Sequence, residues 1–429
     1  MKMEFQVSLF ELSKILSEAM DLISPILYNH HKEVAYIACH IAKEYMPEKE
    51  NFNNLLIAGL LHDIGGINLQ ERIKVLKFDI IEPYKHATVG YLLLREFHYF
   101  KDIAKIIKYH HLPWDNIRKK KLEESTIPIE SHIIHLADRI TSLINKDEEI
   151  LGQVDYISRA IERQNKKMFH PELVETFNKI KHRESFWLDI VSPDLHYRLE
   201  ELWVDCERHL DIKDLEKATK LIARIIDFRS RFTAVHSSGV AIVAENLARK
   251  SGWGEVDCLK IKIAGYLHDL GKLAISNDIL DKDGRLTHNE YNIMKAHTYF
   301  SYHLLNKIES LKEINKYASL HHERLDGTGY PFRFNGDKLG EGSRIMAVAD
   351  TFTAIAEDRP YRVGMDKNRV IKVLDKMVNE NSLDSKYVDL LIDNYDLIDY
   401  KRVIAQKQAR DIYKKFTKAI KNIDEYYCY

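Results

Sequence analysis

The chain has 429 residues, 45% of them hydrophobic and 30% charged, an ordinary globular composition at a length that suggests two or three domains. Lys and Arg together number 64 and Asp and Glu 65, so the sequence lacks the basic excess of a nucleic-acid-binding protein. Four scattered cysteines without a CxxC pair, no signal peptide and no run of about 18 apolar residues predict a reduced, cytoplasmic protein without a membrane span.

In chain order, the clearest elements are amphipathic helices. LLIAGLLHDIG in the first half and LKIKIAGYLHDLG in the second carry apolar residues at three- and four-residue steps, which is typical of helices. No convincing period-two series indicates a strand. Glycine is absent between Gly90 and Gly152, whereas five glycines fall from Gly327 to Gly342, which indicates a loop with unusual backbone demands. We predict an all-α fold.

The two halves of the sequence repeat each other. NHHKEVAYIACHIAKEY matches VHSSGVAIVAENLARKS, and LLHDIGG matches YLHDLGK. The separation of 32 residues between His30 and His62 recurs between His236 and His268. An internal repeat of this kind indicates the architecture more directly than any single motif does. It predicts two tandem copies of one helical bundle domain, which we place at residues 1–205 and 206–429.

Each copy contains five histidines and two aspartates at nearly the same spacing. In the first copy they are His30, His62, Asp63, His86, His110, His111 and Asp138. In the second copy they are His236, His268, Asp269, His297, His321, His322 and Asp350. A lone helical histidine is more often an ordinary structural residue, but generic packing does not reproduce a whole set of ligand types twice. The repetition favours metal ligation.

The ligand types restrict the metal chemistry. No thiolate belongs to either set, which excludes a structural cysteine-type zinc site. Seven ligands exceed what one ion needs while keeping a position open, whereas two ions about 3.5–4 Å apart would use them all and activate a bridging hydroxide for in-line attack on phosphorus. Mixed nitrogen and oxygen ligation suits iron, manganese, nickel or zinc. We expect two transition-metal ions, iron or manganese, with nickel or zinc as alternatives.

A second pattern is HHERLDGTGYP, from His321 to Pro331. Adjacent helical residues project about 100° apart, so one flat core face cannot easily bury both imidazoles of His321 and His322. A two-metal cluster gives both of them a role.

These motifs resemble those of a known enzyme family. YLHDLGK, around His268 and Asp269, resembles the signature of the HD phosphohydrolase superfamily. HHERLDGTGYP together with DTFTAIAEDRPYR resembles the HD-GYP subfamily, which hydrolyses the bacterial second messenger cyclic di-GMP. The resemblance covers roughly Leu215 to Glu380 and implies that the seven residues of the second copy are metal ligands, with Asp269 bridging two ions.

The resemblance also implies substrate contacts. Lys272 would contact the scissile phosphate and stabilise its developing charge. Arg359 and Arg362 would hold nucleotide phosphates or guanine edges, for which a planar guanidinium is suited. The remaining implied contacts form the loop that lines the binding groove, namely Gly329, Tyr330 and Pro331.

The sequence departs from this family at three places. Some members carry a glutamate four residues before the first histidine as a ligand for a third metal, and this chain has Phe232 there, which favours two metals. In the first copy Gly66 occupies the position of Lys272, and HHLPWDNIRKK replaces the glycine-rich loop. The first copy therefore resembles a plain HD domain. We expect it to be a structural or dimerisation partner, and the alternative is a regulatory sensor of a metal or nucleotide.

We predict a metal-dependent signalling phosphodiesterase that converts cyclic di-GMP to linear pGpG, and further cleavage to GMP is left open. One alternative is the same chemistry on another cyclic dinucleotide or a nucleotide monoester. Another is a degenerate cyclic di-GMP receptor, although a pure receptor need not keep Lys272 or the full ligand set. The helical tail RVIAQKQARDIYKKFTKAI has two candidate packing partners, its own domain or a second subunit in a homodimer.

Overall fold

The structure is a computed structural model. It describes residues 6–22, 28–49, 51–66, 84–119, 126–204, 209–228, 235–358 and 362–427. The chain divides into two compact units. One unit comprises Leu12–Arg208 with Ile420–Tyr429, and the other comprises Met1–Glu11 with His209–Ala419.

The described residues are predominantly helical, and the all-α prediction is confirmed. In the first half the helices are α1 (Leu9–Asp21), α2 (His30–Tyr45), α3 (Asn53–Leu61), α4 (Tyr84–Leu94), α5 (Lys101–Lys108), α6 (Trp114–Lys119), α7 (Ile129–Ser142), α8 (Val154–Arg163), α9 (Pro171–Ile180), α10 (Glu184–Ile190) and α11 (Leu195–Leu202). In the second half they are α12 (Ile212–Phe228), α13 (His236–Lys250), α14 (Glu255–Leu267), α15 (Asn277–Leu280), α16 (His288–Leu305), α17 (Lys312–Ser319), α18 (Glu341–Ala356), α19 (Lys367–Asn379), α20 (Ser385–Asp393) and α21 (Tyr395–Tyr427).

Strands are almost absent from the described part of the chain. One two-stranded antiparallel sheet pairs β1 (Val7–Ser8) with β2 (His209–Leu210). Short 3-10 helices connect some of the α-helices, and the one relevant to the site spans Leu270–Ala274. No helix of the described residues has the length and apolarity needed to cross a membrane.

The two units are built around equivalent buried helices. In the first unit α3 packs against α2, and in the second α14 packs against α13. Both central helices contain a glycine at the crossing, Gly59 and Gly265. A Cβ atom at Gly265 would lie 2.5 Å from the Cα atom of Ala241, and one at Gly59 would lie 2.6 Å from that of Ala35. These close approaches bring the histidine at the end of each central helix beside the histidine at the start of its neighbour.

The part of the C-terminal helix α21 that ends at Ala419 belongs to the second unit and packs on it. The rings of Tyr413 and Phe416 lie 5.0 and 4.9 Å from the ring of Phe228 on α12. The sequence left two packing partners open for this tail, its own domain or a second subunit. The contacts with Phe228 show packing on its own domain. The homodimer stays a prediction.

Candidate metal centres

The seven predicted ligands of the second copy meet in one cluster. Each comes from the end or the inner face of a helix that surrounds α14. The contributions are His236 from the start of α13, His268 and Asp269 from the end of α14, His297 from α16, His321 and His322 from the end of α17, and Asp350 from α18. Residues more than 100 positions apart in sequence thus become neighbours, as His236 Nε2 and Asp350 Oδ1 show at 3.0 Å.

Asp269 lies at the centre of this cluster. Its Oδ2 atom is 3.2 Å from His268 Nε2, and its Oδ1 atom is 3.4 Å from His297 Nε2. The two carboxylate oxygens therefore face different histidines. This is the arrangement that a carboxylate bridging two ions requires.

Backbone carbonyl groups orient three of the histidines. The Nδ1 atoms of His268, His297 and His321 lie 2.9, 2.6 and 2.5 Å from the carbonyl oxygens three residues earlier in the chain. When Nδ1–H donates to a carbonyl, Nε2 keeps its lone pair for a metal. The helix ends thus direct the ligating nitrogens into the cluster.

The cluster fits two metal ions. Its donor atoms form groups within 4.8 Å, consisting of His236, His268 and Asp350, of His268, Asp269 and His321, and of His297, His321 and His322. Within the described residues, the buried Nε2 atoms of His297 and His321 make no hydrogen bond. Buried polar atoms without partners are costly, and coordination of a cation would satisfy both of them.

The electrostatic environment keeps three of the donors, His297, His321 and Asp269, in their ligating forms. Burial lowers the pKa of His297 to about 3 and holds that of His321 well below its usual value, so both imidazoles are neutral at pH 7. Burial opposes ionisation of Asp269, but His268 and Lys272 beside it hold the pKa of its carboxyl group well below the ordinary value. At His236 burial lowers the pKa but Glu357 and Asp350 raise it to about 10. This ring is therefore protonated at pH 7 without a metal, and binding of an ion would release that proton.

The paired histidines provide a direct test of metal binding. Because both belong to the group around His297, we expect the double variant His321→Ala/His322→Ala to lose metal from the second copy. Metal analysis of the anaerobically purified variant and of the unmodified chain measures this. Replacing the exposed His288 with alanine is the matched control. Full metal content in the double variant would contradict the assignment.

Lys272 contacts a predicted ligand directly. Its Nζ atom is 2.5 Å from Asp269 Oδ2, and its side chain is 19% exposed. The α-helix ends at Leu267, so Lys272 lies in the 3-10 helix that follows and not on a continuing α-helical turn. The structure therefore places a cation at the edge of the cluster, where it reaches both solvent and the central carboxylate.

The glycine-rich loop folds back over His322. The ring of Tyr330 lies 4.8 Å from the His322 ring, and the Tyr330–Pro331 peptide bond is cis. Gly329 is required for close approach, because a Cβ atom there would lie 2.5 Å from the backbone nitrogen of Arg324. The loop thus lies beside the cluster, and its role in lining a substrate groove stays a prediction.

Glu323 anchors this loop, and sequence reasoning missed it. It is 2% exposed, and its carboxylate accepts hydrogen bonds from the backbone N–H groups of Phe332 and Phe334 at 2.7 and 3.0 Å. Its position directly after the paired histidines is the sequence feature that could have identified it.

Of the two arginines predicted to contact substrate, Arg362 lies within the described residues. Arg362 Nη2 donates a hydrogen bond to the carbonyl oxygen of Ala354 at 2.5 Å. Arg359 lies outside the described residues, as does Phe232. The substrate roles of the two arginines stay predictions.

The first copy assembles an equivalent cluster. His30 Nε2 lies 3.3 Å from Asp138 Oδ1, and the two oxygens of Asp63 lie 3.2 Å from His86 Nε2 and 3.4 Å from His62 Nε2. The donor atoms form two groups within 4.8 Å, namely Asp63, His86, His110 and His111, and His30, His62 and Asp63.

Two features distinguish the first cluster from the second. Arg139 is 1% exposed and its Nη2 atom lies 2.5 Å from Asp138 Oδ2, an ion pair that the sequence analysis did not anticipate although HLADRI contains it. The side chains of His111 and Asp138 are 1% and 2% exposed, whereas their counterparts His322 and Asp350 are 32% and 12% exposed. The first cluster is closed, and the second is accessible at one edge.

Comparison with known families defines the class of protein. A family model of the HD domain matches residues 27–143, and another HD-domain model matches residues 220–387. These two segments contain all fourteen residues of the two clusters. The chain is a member of the HD-domain superfamily with two HD domains in tandem.

Individual relatives refine this assignment. A 3'3'-cGAMP-specific phosphodiesterase of Vibrio cholerae is 28% identical over 91% of this chain and 93% of its own length. A cyclic di-GMP phosphodiesterase response regulator of Xanthomonas campestris is 36% identical over 35% of this chain and 41% of its own length. The crystal structure of a cyclic GMP-AMP-specific phosphodiesterase of V. cholerae has the same fold, with a TM-score of 0.64 and 23% identity over 91% of this chain and 98% of that one. The chain is thus homologous to both HD-GYP and cGAMP-specific phosphodiesterases, and the predicted resemblance is confirmed.

Proposed function

We propose that the protein is a metal-dependent phosphodiesterase of cyclic dinucleotides and that its second HD domain carries the activity. The observation that carries the proposal is the seven-residue cluster around Asp269, which offers donors for two ions and is accessible beside His322. Two bound ions would generate a hydroxide nucleophile and neutralise charge on the phosphate.

The residues of the chain have distinct roles in this proposal. The histidines and aspartates would hold the metals, and the backbone carbonyls at Nδ1 of His268, His297 and His321 keep those three rings from turning. Lys272 supplies a cation near the reacting phosphate. Glu323 fixes the loop that carries Tyr330, which forms a wall against His322. Arg359 and Arg362 are proposed to contact the nucleotide.

For the substrate we propose 3'3'-cGAMP ahead of cyclic di-GMP. This order of substrates is supported by how much of the chain each relative matches. The cGAMP-specific relative aligns with 91% of the chain, including both HD domains, whereas the cyclic di-GMP regulator aligns with 35%. Both substrates contain the same 3',5'-phosphodiester ring, so one metal centre can cleave either. The proposed products are a linear dinucleotide and then mononucleotides.

For the first HD domain we propose metal binding without turnover. Its seven donors are assembled, but its cluster is closed and Gly66 replaces the lysine. Arg139 already neutralises one aspartate there. A structural role follows most directly, and a regulatory role is the alternative.

Substrate assays test the proposed activity. Initial rates with 3'3'-cGAMP and cyclic di-GMP are to be measured on metal-loaded protein, with products separated by chromatography. We expect hydrolysis of both and a higher kcat/KM for 3'3'-cGAMP. A protein that holds its metals but hydrolyses neither would contradict the function, and a higher kcat/KM for cyclic di-GMP would contradict the substrate order.

A further inference from the structure

A chain of buried polar side chains connects the C-terminal helix to His236. Arg402 Nη1 donates to Gln406 Oε1 at 2.6 Å, and Gln406 Nε2 donates to Glu357 Oε2 at 2.7 Å. Glu357 Oε1 then lies 3.0 Å from His236 Nδ1. Arg402, Gln406 and Glu357 are only 3–4% exposed. The chain therefore runs within the domain and not across its surface.

Glu357 differs from the Nδ1 partners of three other histidines in the cluster. His268, His297 and His321 have backbone carbonyls at Nδ1, whereas His236 has a carboxylate. A carboxylate at this position fixes the tautomer and increases the basicity of the ring, and thereby strengthens its bond to a metal. The opposite ring atom, His236 Nε2, points toward Asp350 and the cluster.

The C-terminal helix fixes the position of Glu357. A Cβ atom at Gly239, one turn after His236, would lie 2.7 Å from Gln406 Nε2. The missing side chain on α13 thus leaves the space that Gln406 occupies. Arg402 is held in turn by Asp399, whose Oδ1 atom lies 2.8 Å from its Nε atom. Gln406 therefore has little freedom to move away from the carboxylate.

At the sequence position equivalent to Glu357, the first copy has no carboxylate. Counting seven residues after the late aspartate gives Glu357 in the second copy and Asn145 in the first. The Asn145 side chain donates to Glu148, within its own loop. The carboxylate thus accompanies the copy that retains Lys272 and the accessible cluster.

We infer that Glu357 and Gln406 are positioning residues for the metal centre, through which the C-terminal helix α21 sets the metal affinity at His236. The inference deepens the proposed function, because it rests on His236 being a ligand. It adds that residues outside the ligand set, one of them on the last helix, control how firmly one ion is held.

Titration of the metal-free chain with Mn²⁺, with the free ion followed by electron paramagnetic resonance, tests this inference. We expect Glu357→Gln to weaken one class of Mn²⁺ site by about 10–100-fold, the usual effect of losing such a partner. Gln406→Leu should weaken the same class by a smaller factor, because the carboxylate remains but loses its donor. The matched control is Gln408→Leu, an exposed glutamine on the same helix, which should leave the titration unchanged.

Two further measurements separate a specific effect from general damage. Melting temperatures of the metal-free Gln406→Leu and Gln408→Leu variants should agree within a few degrees. Equal Mn²⁺ affinity in all three variants and the unmodified chain would overturn the positioning role, as would a loss of affinity matched by an equal loss of metal-free stability. If Glu357→Gln does not fold, Gln406→Leu carries the test.

His236→Ala identifies where a failure lies. If that variant loses the weakened Mn²⁺ class while Glu357→Gln does not, His236 is a ligand and only the positioning role is wrong. If His236→Ala binds Mn²⁺ as the unmodified chain does, the proposed metal centre itself is wrong, and this inference falls with it.

Discussion

Asp269→Ala is expected to reduce turnover to that of the metal-free protein, whereas Asp63→Ala should leave it within a few-fold of the unmodified chain. The two aspartates occupy equivalent central positions, and each faces histidines with both carboxylate oxygens. The difference in outcome therefore depends on which cluster performs the reaction.

The expected asymmetry has two physical reasons. A phosphodiester must reach the metals, and the first cluster is closed at His111 and Asp138 whereas the second is open at His322. The developing phosphate charge also needs a cation, which Lys272 offers in the second copy. In the first, Arg139 is buried against Asp138 and Gly66 provides no charge.

Steady-state kinetics on both variants, beside metal analysis and thermal melting, measures this asymmetry. Asp63→Asn is a second variant of similar shape for the buried first cluster, in case alanine unfolds that domain. Comparable losses from Asp63 and Asp269 variants that remain folded would show that the two HD domains are catalytically equivalent or strongly coupled.

The second large effect is expected for Lys272→Ala, which should lower turnover by at least about a hundredfold, as removal of one preorganised donor commonly does. The non-bridging and leaving oxygens gain charge as hydroxide attacks, so a nearby fixed cation stabilises the transition state more than the bound substrate. Interactions of this kind affect turnover more than affinity. Substrate affinity should change by less than about tenfold, or roughly 1.4 kcal/mol.

Because Lys272 forms an ion pair with Asp269, the metal content of the Lys272→Ala variant must be measured as well. Because Lys272 Nζ lies 2.5 Å from a predicted bridging oxygen, its removal leaves that oxygen available and should not release the metals. Calorimetry with a phosphorothioate analogue measures affinity, and steady-state rates measure turnover on the same preparation. Lys282→Ala, at a lysine paired with Glu290, is the control and should retain full turnover.

Either of two results would change the role of Lys272. Unchanged turnover would show that it does not stabilise the transition state. A collapse of affinity with proportionate loss of kcat/KM would make it a substrate anchor.

Sequence patterns were sufficient to predict the helical architecture and to identify the candidate ligands of both clusters. Apolar spacing predicted helices because the 3.6-residue period is local. The fourteen potential ligands were identifiable because the same residue types recur at the same intervals, as with His30 and His62 against His236 and His268. The replacement of the lysine by Gly66 in the first copy was also evident from the sequence. These features need no knowledge of how distant segments pack.

The residues that surround the candidate ligands, and the access of solvent to each cluster, depend instead on how the helices pack. Glu357, Gln406 and His236 are separated by up to 170 positions, yet they form one hydrogen-bonded chain. The pairing of Arg139 with Asp138 and the exposure of His322 likewise depend on which helices cover each site. Periodicity shows which face of a helix is buried, but not which element lies against it. The partners of a buried polar group are therefore fixed only when the helices pack together.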